Sequence, residues 1–446
     1  IRRVKRRRKI VNLLLIILLF DIICDRNTVN THIDSGAEGD EVQSTIIKYQ
    51  SPGVFNVVDE IETDIQVEPG SDEENLILSG ALTLVGIIAP DTGLTPSSDD
   101  PGLGIRYYGG SAKFCRVNWD AYKQDVPSYS MFKAFIAPEV SPDCETKYIV
   151  DLKMIADKTR AFDKTAEGQK TVSTMKPNSF VFHESRCGST LVANSLAAFA
   201  PEKTRVYSES APPMNAIEAC DKIVCDEEKH IELIRDVLYL MGRSSDLNET
   251  NLFFKFQSIG TKAISKLRNA FPETPWIFVY RDPVQVLMSH VKKYVPGVRF
   301  HAKCLHTLRY RPSDTNEVIR SITGDESSAF QVTDLEYCAA HLATLCQHAF
   351  REHAVSGTGK LVNYSTLPDI LIDEIIPNYF LPPGSTFGEK EIQRIRKVTG
   401  VYSKGFRNNK KWEADSERKN KMAHPDIKAA AAKFLQPSFD AIQSYV

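Results

Sequence analysis

The 446 residues predict an α/β protein with a central parallel sheet flanked by helices. Two segments carry most of that prediction. In Lys176 to Phe199, KPNSFVFHESRCGSTLVANSLAAF, Ser179 to His183 read as a short buried strand, and Leu191, Val192, Leu196 and Phe199 recur at helical spacing. In Trp276 to Lys293, WIFVYRDPVQVLMSHVKK, an apolar strand runs through Arg281, Asp282 and Pro283 into a second helix, with Pro at its first turn. Short apolar strands each followed by a helix suit a parallel sheet covered on both faces. Other elements follow in order. Arg205 to Pro213 (RVYSESAPP) reads as a strand ending in Glu209, and Leu252 to Gln257 (LFFKFQ) as a buried strand. Leu335 to Arg351 reads as a helix, Lys360 to Leu367 (KLVNYSTL) as a strand and its exit, and Lys428 to Tyr445 as a final packing helix.

The loop between the first strand and its helix, ESRCGST, has the composition of an anion cradle. Backbone N–H groups and a helix N-terminus converge there, and no side chain larger than Ser or Thr stands in the way. Gly188 permits close approach, Ser189 and Thr190 add hydroxyl donors, and Arg186 adds a planar cationic fork. A Walker A loop would need Gly where Phe182 or His183 stands, and Lys directly before the hydroxyl residue. Arg281, at a strand end, can offer a bidentate contact to an anion. The plainer alternative is that Arg281 and Asp282 punctuate a helix start and pair with each other.

The order basic residue, small residue, Gly and two hydroxyl residues resembles the 5'-phosphosulfate loop of sulfotransferases, [KR]-S-G-[ST]-T, with Cys187 in place of Ser. Strand, R-[DN]-P and a later Ser resembles the family's 3'-phosphate motif. KLVNYSTL is similar to its strand followed by Y-E-x-L, with Ser365 in place of Glu. The resemblance extends from Lys176 to about Trp412, roughly half the chain. It implies a P-loop NTPase-like sulfotransferase fold and a membrane-bound, Golgi-type member. The co-substrate would be 3'-phosphoadenosine 5'-phosphosulfate, with no metal, and a sulfuryl group would pass to a hydroxyl or amine of a carbohydrate or protein acceptor. Arg186 would neutralise the leaving group. Cys187, Gly188, Ser189 and Thr190 would hold the 5' end, and Arg281 and Ser289 the 3'-phosphate.

Membrane-bound sulfotransferases carry a catalytic Glu at about the place of Glu209, which makes it the leading general base, against the alternative of a solvated loop carboxylate. Lys255 is similar to the Lys of the cytosolic members' Lys-Thr-His and would assist at the sulfuryl group, whereas Gln257 cannot act as the base that His provides there. His183 is the other basic option. Ser403 to Arg407, followed by Trp412, is faintly similar to the family's R-K-G-x-x-G-x-W loop. That gives Lys404 and Arg407 a place at the 3'-phosphate, against a solvated basic helix over Arg394 to Lys421. Two rivals stay open: a P-loop kinase or NTPase using Asp282 for magnesium, and a non-catalytic lumenal binding protein with the same fold.

Charge is unevenly distributed. Net charge is -2, but Ile1 to Lys9 hold seven basic residues and no acid, leaving 48 basic against 57 acidic residues. That balance argues against nucleic-acid binding. The basic run precedes the apolar Ile10 to Ile23, the arrangement of an uncleaved type II signal-anchor or of a cleaved signal peptide, which would make the protein Golgi-membrane bound or secreted. The resulting layout is a tail and anchor (1–24), an acidic, poorly ordered stem (25–75), an accessory subdomain (76–175) and a catalytic domain (176–446). Nine cysteines suggest a few lumenal disulfides: Cys115 with Cys144, Cys220 with Cys225, and a pair among Cys304, Cys338 and Cys346. Asn248 and Asn363 begin glycosylation sequons.

Overall fold

In the computed structural model the described residues are 64–88, 110–220, 226–291, 294–325, 331–401 and 413–445. The basic tail, the apolar segment, most of the acidic stem, and Lys404 and Arg407 lie outside them. In chain order the strands are β1 (Asp64–Gln66), β2 (Thr83–Ile88), β3 (Ser111–Cys115), β4 (Lys147–Asp151), β5 (Ser173–Thr174), β6 (Pro177–His183), β7 (Thr204–Ser208), β8 (Arg243–Ser244), β9 (Asn251–Lys255), β10 (Trp276–Tyr280) and β11 (Gly359–Asn363).

Five of them form the central sheet, in the order β11-β10-β6-β9-β7, and every pairing is parallel. All five side chains of β10, WIFVY, are fully buried. A parallel sheet has helices on both faces, so its inner strands lose the apolar–polar alternation and read as continuous hydrophobic runs. The helices Ser189–Ala198, Glu227–Met241, Pro283–His290 and Asp334–Val355 supply that cover. The last begins with a capping box in which Thr333 and Glu336 satisfy each other's backbone N–H. Gly359 pairs with Trp276 across the β10–β11 register, and a Cβ there would fall 2.3 Å from the indole Cζ2. The edge strand therefore closes on the tryptophan only because position 359 has no side chain.

A second sheet, β1-β4-β3-β2, mixes one parallel with two antiparallel pairings. Trp119 stands edge-on to Tyr207 of β7 at 5.3 Å and lies under the Arg205 guanidinium at 4.5 Å, so this accessory layer packs against an edge strand of the central sheet. The described residues begin inside the acidic segment expected to be poorly ordered, and there they form β1 and the helix Asp72–Leu78. The acids there have specific partners, which composition alone does not reveal. Asp64 pairs with Lys113 at 2.8 Å, and buried Glu74 accepts from Lys158 at 2.5 Å and from the Gly70 N–H at 2.8 Å.

Disulfides join Cys115 to Cys144 and Cys304 to Cys338, while Cys187 and Cys346 are buried thiols outside any disulfide. Cys220 is also disulfide-bonded; its expected partner, Cys225, lies outside the described residues. Among the described residues no helix is long and apolar enough to cross a membrane.

Candidate active site

Because the five central strands run the same way, the chain leaving their carboxyl ends brings five groups to one rim: the loop after β6, Glu209 after β7, Lys255 ending β9, Arg281 after β10 and Tyr364 after β11. The connections leave β6 toward β7 and β9 on one side and toward β10 and β11 on the other. That is the switch point at which open α/β sheets leave a crevice for ligands.

The loop is held in an uncommon shape. Ser185, Arg186 and Gly188 all take positive φ (84°, 54° and 95°), a conformation costing non-glycine residues roughly 1–3 kcal/mol each. Its neighbours hold it there. The Ser185 N–H donates to His183 Nδ1 at 3.0 Å, so the ring's proton sits on Nε2, which donates to the Phe256 carbonyl at 3.1 Å. The Cys187 thiol donates to the Val279 carbonyl at 3.0 Å and is buried, so its side chain serves the sheet rather than the loop's open side. The residue that departs from the family pattern thus needs no hydroxyl. Gly188 precedes the helix Ser189–Ala198 with no side-chain cap over the first N–H groups, and a Cβ at 188 would strike the Tyr364 ring at 2.4 Å. Uncapped N–H groups at a helix N-terminus favour an anion.

Beneath the loop, buried Glu184 accepts from the Arg281 N–H at 3.0 Å. Burial pushes its carboxyl up to about 8; the Arg281 N–H pulls the other way and nearby Asp282 adds to the rise.

Arg186 and Ser289 are brought together, since Arg186 Nε donates to the Ser289 carbonyl at 3.1 Å. The Ser289 hydroxyl donates to the Gln285 carbonyl at 2.8 Å and accepts from Lys419 at 2.6 Å. Arg281 is buried, with Nε on Gln285 Oε1 at 2.8 Å, one terminal nitrogen on Asp415 at 2.7 Å and on Ser416 at 3.1 Å, and its plane 3.9 Å from the Tyr364 ring centre. Arg281 and Asp282 do not pair as the plainer reading held: Asp282 caps its helix by accepting the Gln285 N–H at 3.0 Å. Nor is the basic C-terminal stretch wholly solvated, because Lys419 turns inward onto Ser289 and Asp415.

On the other side of β6, Glu209 takes φ 54° and donates its N–H to the Lys255 carbonyl at 2.7 Å. Its carboxylate is ion-paired with buried Lys255 and lies 3.8 Å from His183 Nε2 and 4.0 Å from Lys303 Nζ. Burial alone would raise its pKa, but the ammonium groups of Lys255 and, more distantly, Lys303 outweigh burial and hold it down at about 2. Glu209 is therefore not the solvated loop carboxylate weighed as its alternative. His183 touches both the loop and Glu209, and so links the anion cradle to the carboxylate.

Sequence reasoning missed Glu184, Lys303, Asp415 and Lys419. Asp415 and Lys419 reach the rim across more than a hundred residues, and no local pattern marks them. His290, Cys304 and Cys338 gather within 4.8 Å, but the two cysteines are bonded to each other, which removes the thiolates a metal would need.

No protein-family model and no curated protein matches the chain. Solved structures similar to it include a sulfotransferase from Alicyclobacillus acidocaldarius (13% identity, 60% of this chain and 95% of that one, TM-score 0.30). Another is a Mycobacterium avium sulfotransferase (10% identity, 66% and 85%, TM-score 0.36). A third is the sulfotransferase domain of a Synechococcus olefin synthase (12% identity, 61% and 95%, TM-score 0.26). At such TM-scores the functional reading rests on the residues of the rim.

Proposed function

We propose that the protein is a sulfotransferase using 3'-phosphoadenosine 5'-phosphosulfate, with a hydroxyl or amine of a carbohydrate or protein as acceptor. The observation that carries this reading is the pairing of two anion-receptive ends on one rim. The Ser185–Thr190 loop meets a helix N-terminus beside Arg186, and buried Arg281 lies close by, tied to the Arg186–Ser289 contact through Gln285. A donor phosphorylated at both ends fits that pair, and the loop has no Walker Lys for ATP.

In the step we envisage, the acceptor oxygen attacks sulfur as the bond from sulfur to the 5'-phosphate oxygen breaks in line. Glu209 takes the acceptor proton, and Arg186, with Lys255 once it has turned from Glu209, faces the charge left on the phosphate. Location in the Golgi lumen as a type II membrane protein is part of the proposal, and the Cys115–Cys144 and Cys304–Cys338 disulfides favour an oxidising compartment. The test is thermal unfolding titrated with adenosine 3',5'-bisphosphate and separately with ATP and magnesium, followed by transfer of labelled sulfate. Stabilisation by the bisphosphate and transfer of label are expected; stabilisation by ATP alone would overturn the assignment.

A further inference from the structure

From Asp282 to Asp314 the chain contains no Asp or Glu between those two residues, yet it holds Lys292, Lys293, Arg299, Lys303, Arg309, Arg311 and three histidines. This is notable in a protein that is acidic outside its N-terminal tail. The described part, 294–311, is a strap pinned to the core. Cys304 is disulfide-bonded to Cys338, Thr307 bonds Tyr337 at 3.0 Å, and Phe300, Ala302, Leu305 and Leu308 pack inward. The residues between these anchors face outward: Arg299, His301, Lys303, His306 and Arg309 are exposed. Arg299 has Asp334 at 3.7 Å but is 87% exposed, and Arg309 rests against exposed Tyr310.

The strap adjoins the reactive carboxylate. Lys303 Nζ lies 4.0 Å from Glu209 Oε2 while its side chain stays 70% exposed, so an acceptor reaching that oxygen from solvent passes this ammonium. We propose that the strap 294–311 docks the acceptor, and that the acceptor is an anionic saccharide, a uronate or an already sulfated sugar, whose negative group meets Lys303. This rests on Glu209 acting as base in the transfer proposed above. The 4.0 Å spacing favours a sugar over an acidic peptide. An anion beside Lys303 must lie within about one ring of the accepting hydroxyl, as a carboxyl or sulfate on the same sugar does, whereas a peptide's carboxylates sit on neighbouring residues away from its side-chain hydroxyl. Further anions along the saccharide would meet Arg299 and Arg309, and the exposed Tyr310 ring offers a face for a sugar to lie on. Such an acceptor would also draw Lys303 away from Glu209 and so make the carboxylate a better base.

Two measurements on the full chain test this. The first compares sulfate transfer to a uronate oligosaccharide with transfer to the same oligosaccharide after its carboxyls have been reduced to alcohols. We expect a KM for the uronate form lower by about tenfold, the scale of one desolvated charge contact. In Lys303→Ala that difference should shrink toward unity, and Lys303→Arg should keep it. Equal use of both forms by the native protein, or transfer to acidic peptides with uronates ignored, would overturn the proposal. The second titrates labelled uronate oligosaccharide by fluorescence anisotropy at low and high salt, with no donor present. Salt-sensitive binding weakened in Arg299→Ala/Arg309→Ala is expected, and absence of binding would overturn the proposal. Oligosaccharide binding in a protein that neither binds adenosine 3',5'-bisphosphate nor transfers sulfate would overturn the transfer reading and leave the docking strap standing.

Discussion

The Asp415 carboxylate accepts a hydrogen bond from the Arg281 guanidinium at 2.7 Å, so the cation proposed for a terminal phosphate already holds an anion. Burial works against ionised Asp415, but Lys419 and Arg281 outweigh it and lower its pKa. A phosphate arriving at Arg281 competes with that carboxylate. Asp415→Asn is expected to tighten adenosine 3',5'-bisphosphate binding about tenfold, or about 1.4 kcal/mol, and Arg281→Ala to weaken it at least as much. Calorimetric titration reads both. Weaker binding by Asp415→Asn would mean that the carboxylate orients Arg281 instead of competing for it.

Glu209 and Lys255 form the second coupled pair. On its proposed role as the base, Glu209 replaced by Ala should lower turnover about 10²- to 10⁴-fold with bisphosphate binding retained. Its folded pKa of about 2 lies below the ordinary 4.5, so its contribution to stability is present above pH 4.5 and is lost as pH falls toward 2. Lys255→Ala removes the main counter-charge and leaves burial opposed mainly by the more distant Lys303. The carboxyl pKa should then rise, and the acid limb of the pH–rate profile should move up with it. Turnover at the native rate in Glu209→Ala would remove this residue from the mechanism.

What was legible in the sequence follows the range of the interactions involved. β6, β9 and β10 were visible because parallel strands buried on both faces leave unbroken apolar runs, whereas Glu209, after the polar edge strand β7, was picked out through the resemblance to membrane-bound sulfotransferases. Cys115–Cys144 and one of the pairs considered among Cys304, Cys338 and Cys346 were also within reach. The partners of those groups were not. Asp415 and Lys419 belong to a basic stretch whose local pattern reads as solvated, and only folding brings them to Arg281 and Ser289. β1 and the helix Asp72–Leu78 were hidden for the related reason that acidic composition argues for disorder unless Lys113 and Lys158 are known to stand opposite Asp64 and Glu74.

Glu184 gives a pH signature opposite to that of Glu209. Its folded pKa of about 8 lies above the ordinary 4.5, so between those values the unfolded chain releases a proton that the folded chain keeps. Its contribution to stability is greatest below pH 4.5 and is lost as pH rises toward 8, by several kcal/mol as an order of magnitude. Glu184→Gln keeps an acceptor for the Arg281 N–H but cannot ionise. Its stability relative to the native protein should therefore rise between pH 5 and 8, as read by denaturant midpoints. An unchanged difference across that range would mean that Glu184 is ionised in the folded state.

Gly188 and Tyr364 couple the two ends of the rim. A Cβ at 188 would fall 2.4 Å from one ring carbon of Tyr364 and 2.7 Å from another, at a φ of 95° that side chains rarely adopt. The same ring lies 3.9 Å from the Arg281 guanidinium, so pushing it aside disturbs both the loop and the arginine. Gly188→Ala should cost on the order of 2–3 kcal/mol in stability and weaken bisphosphate binding more than tenfold. Adding Tyr364→Ala should restore part of the stability, giving a non-zero coupling in a double-mutant cycle. Cys187→Ser, one residue away, should change binding little, because a hydroxyl can keep the bond to the Val279 carbonyl and the side chain already faces the sheet. If Cys187→Ser abolished binding while Gly188→Ala left it intact, the anion would have to lie on the thiol side of the loop and not at the helix N-terminus.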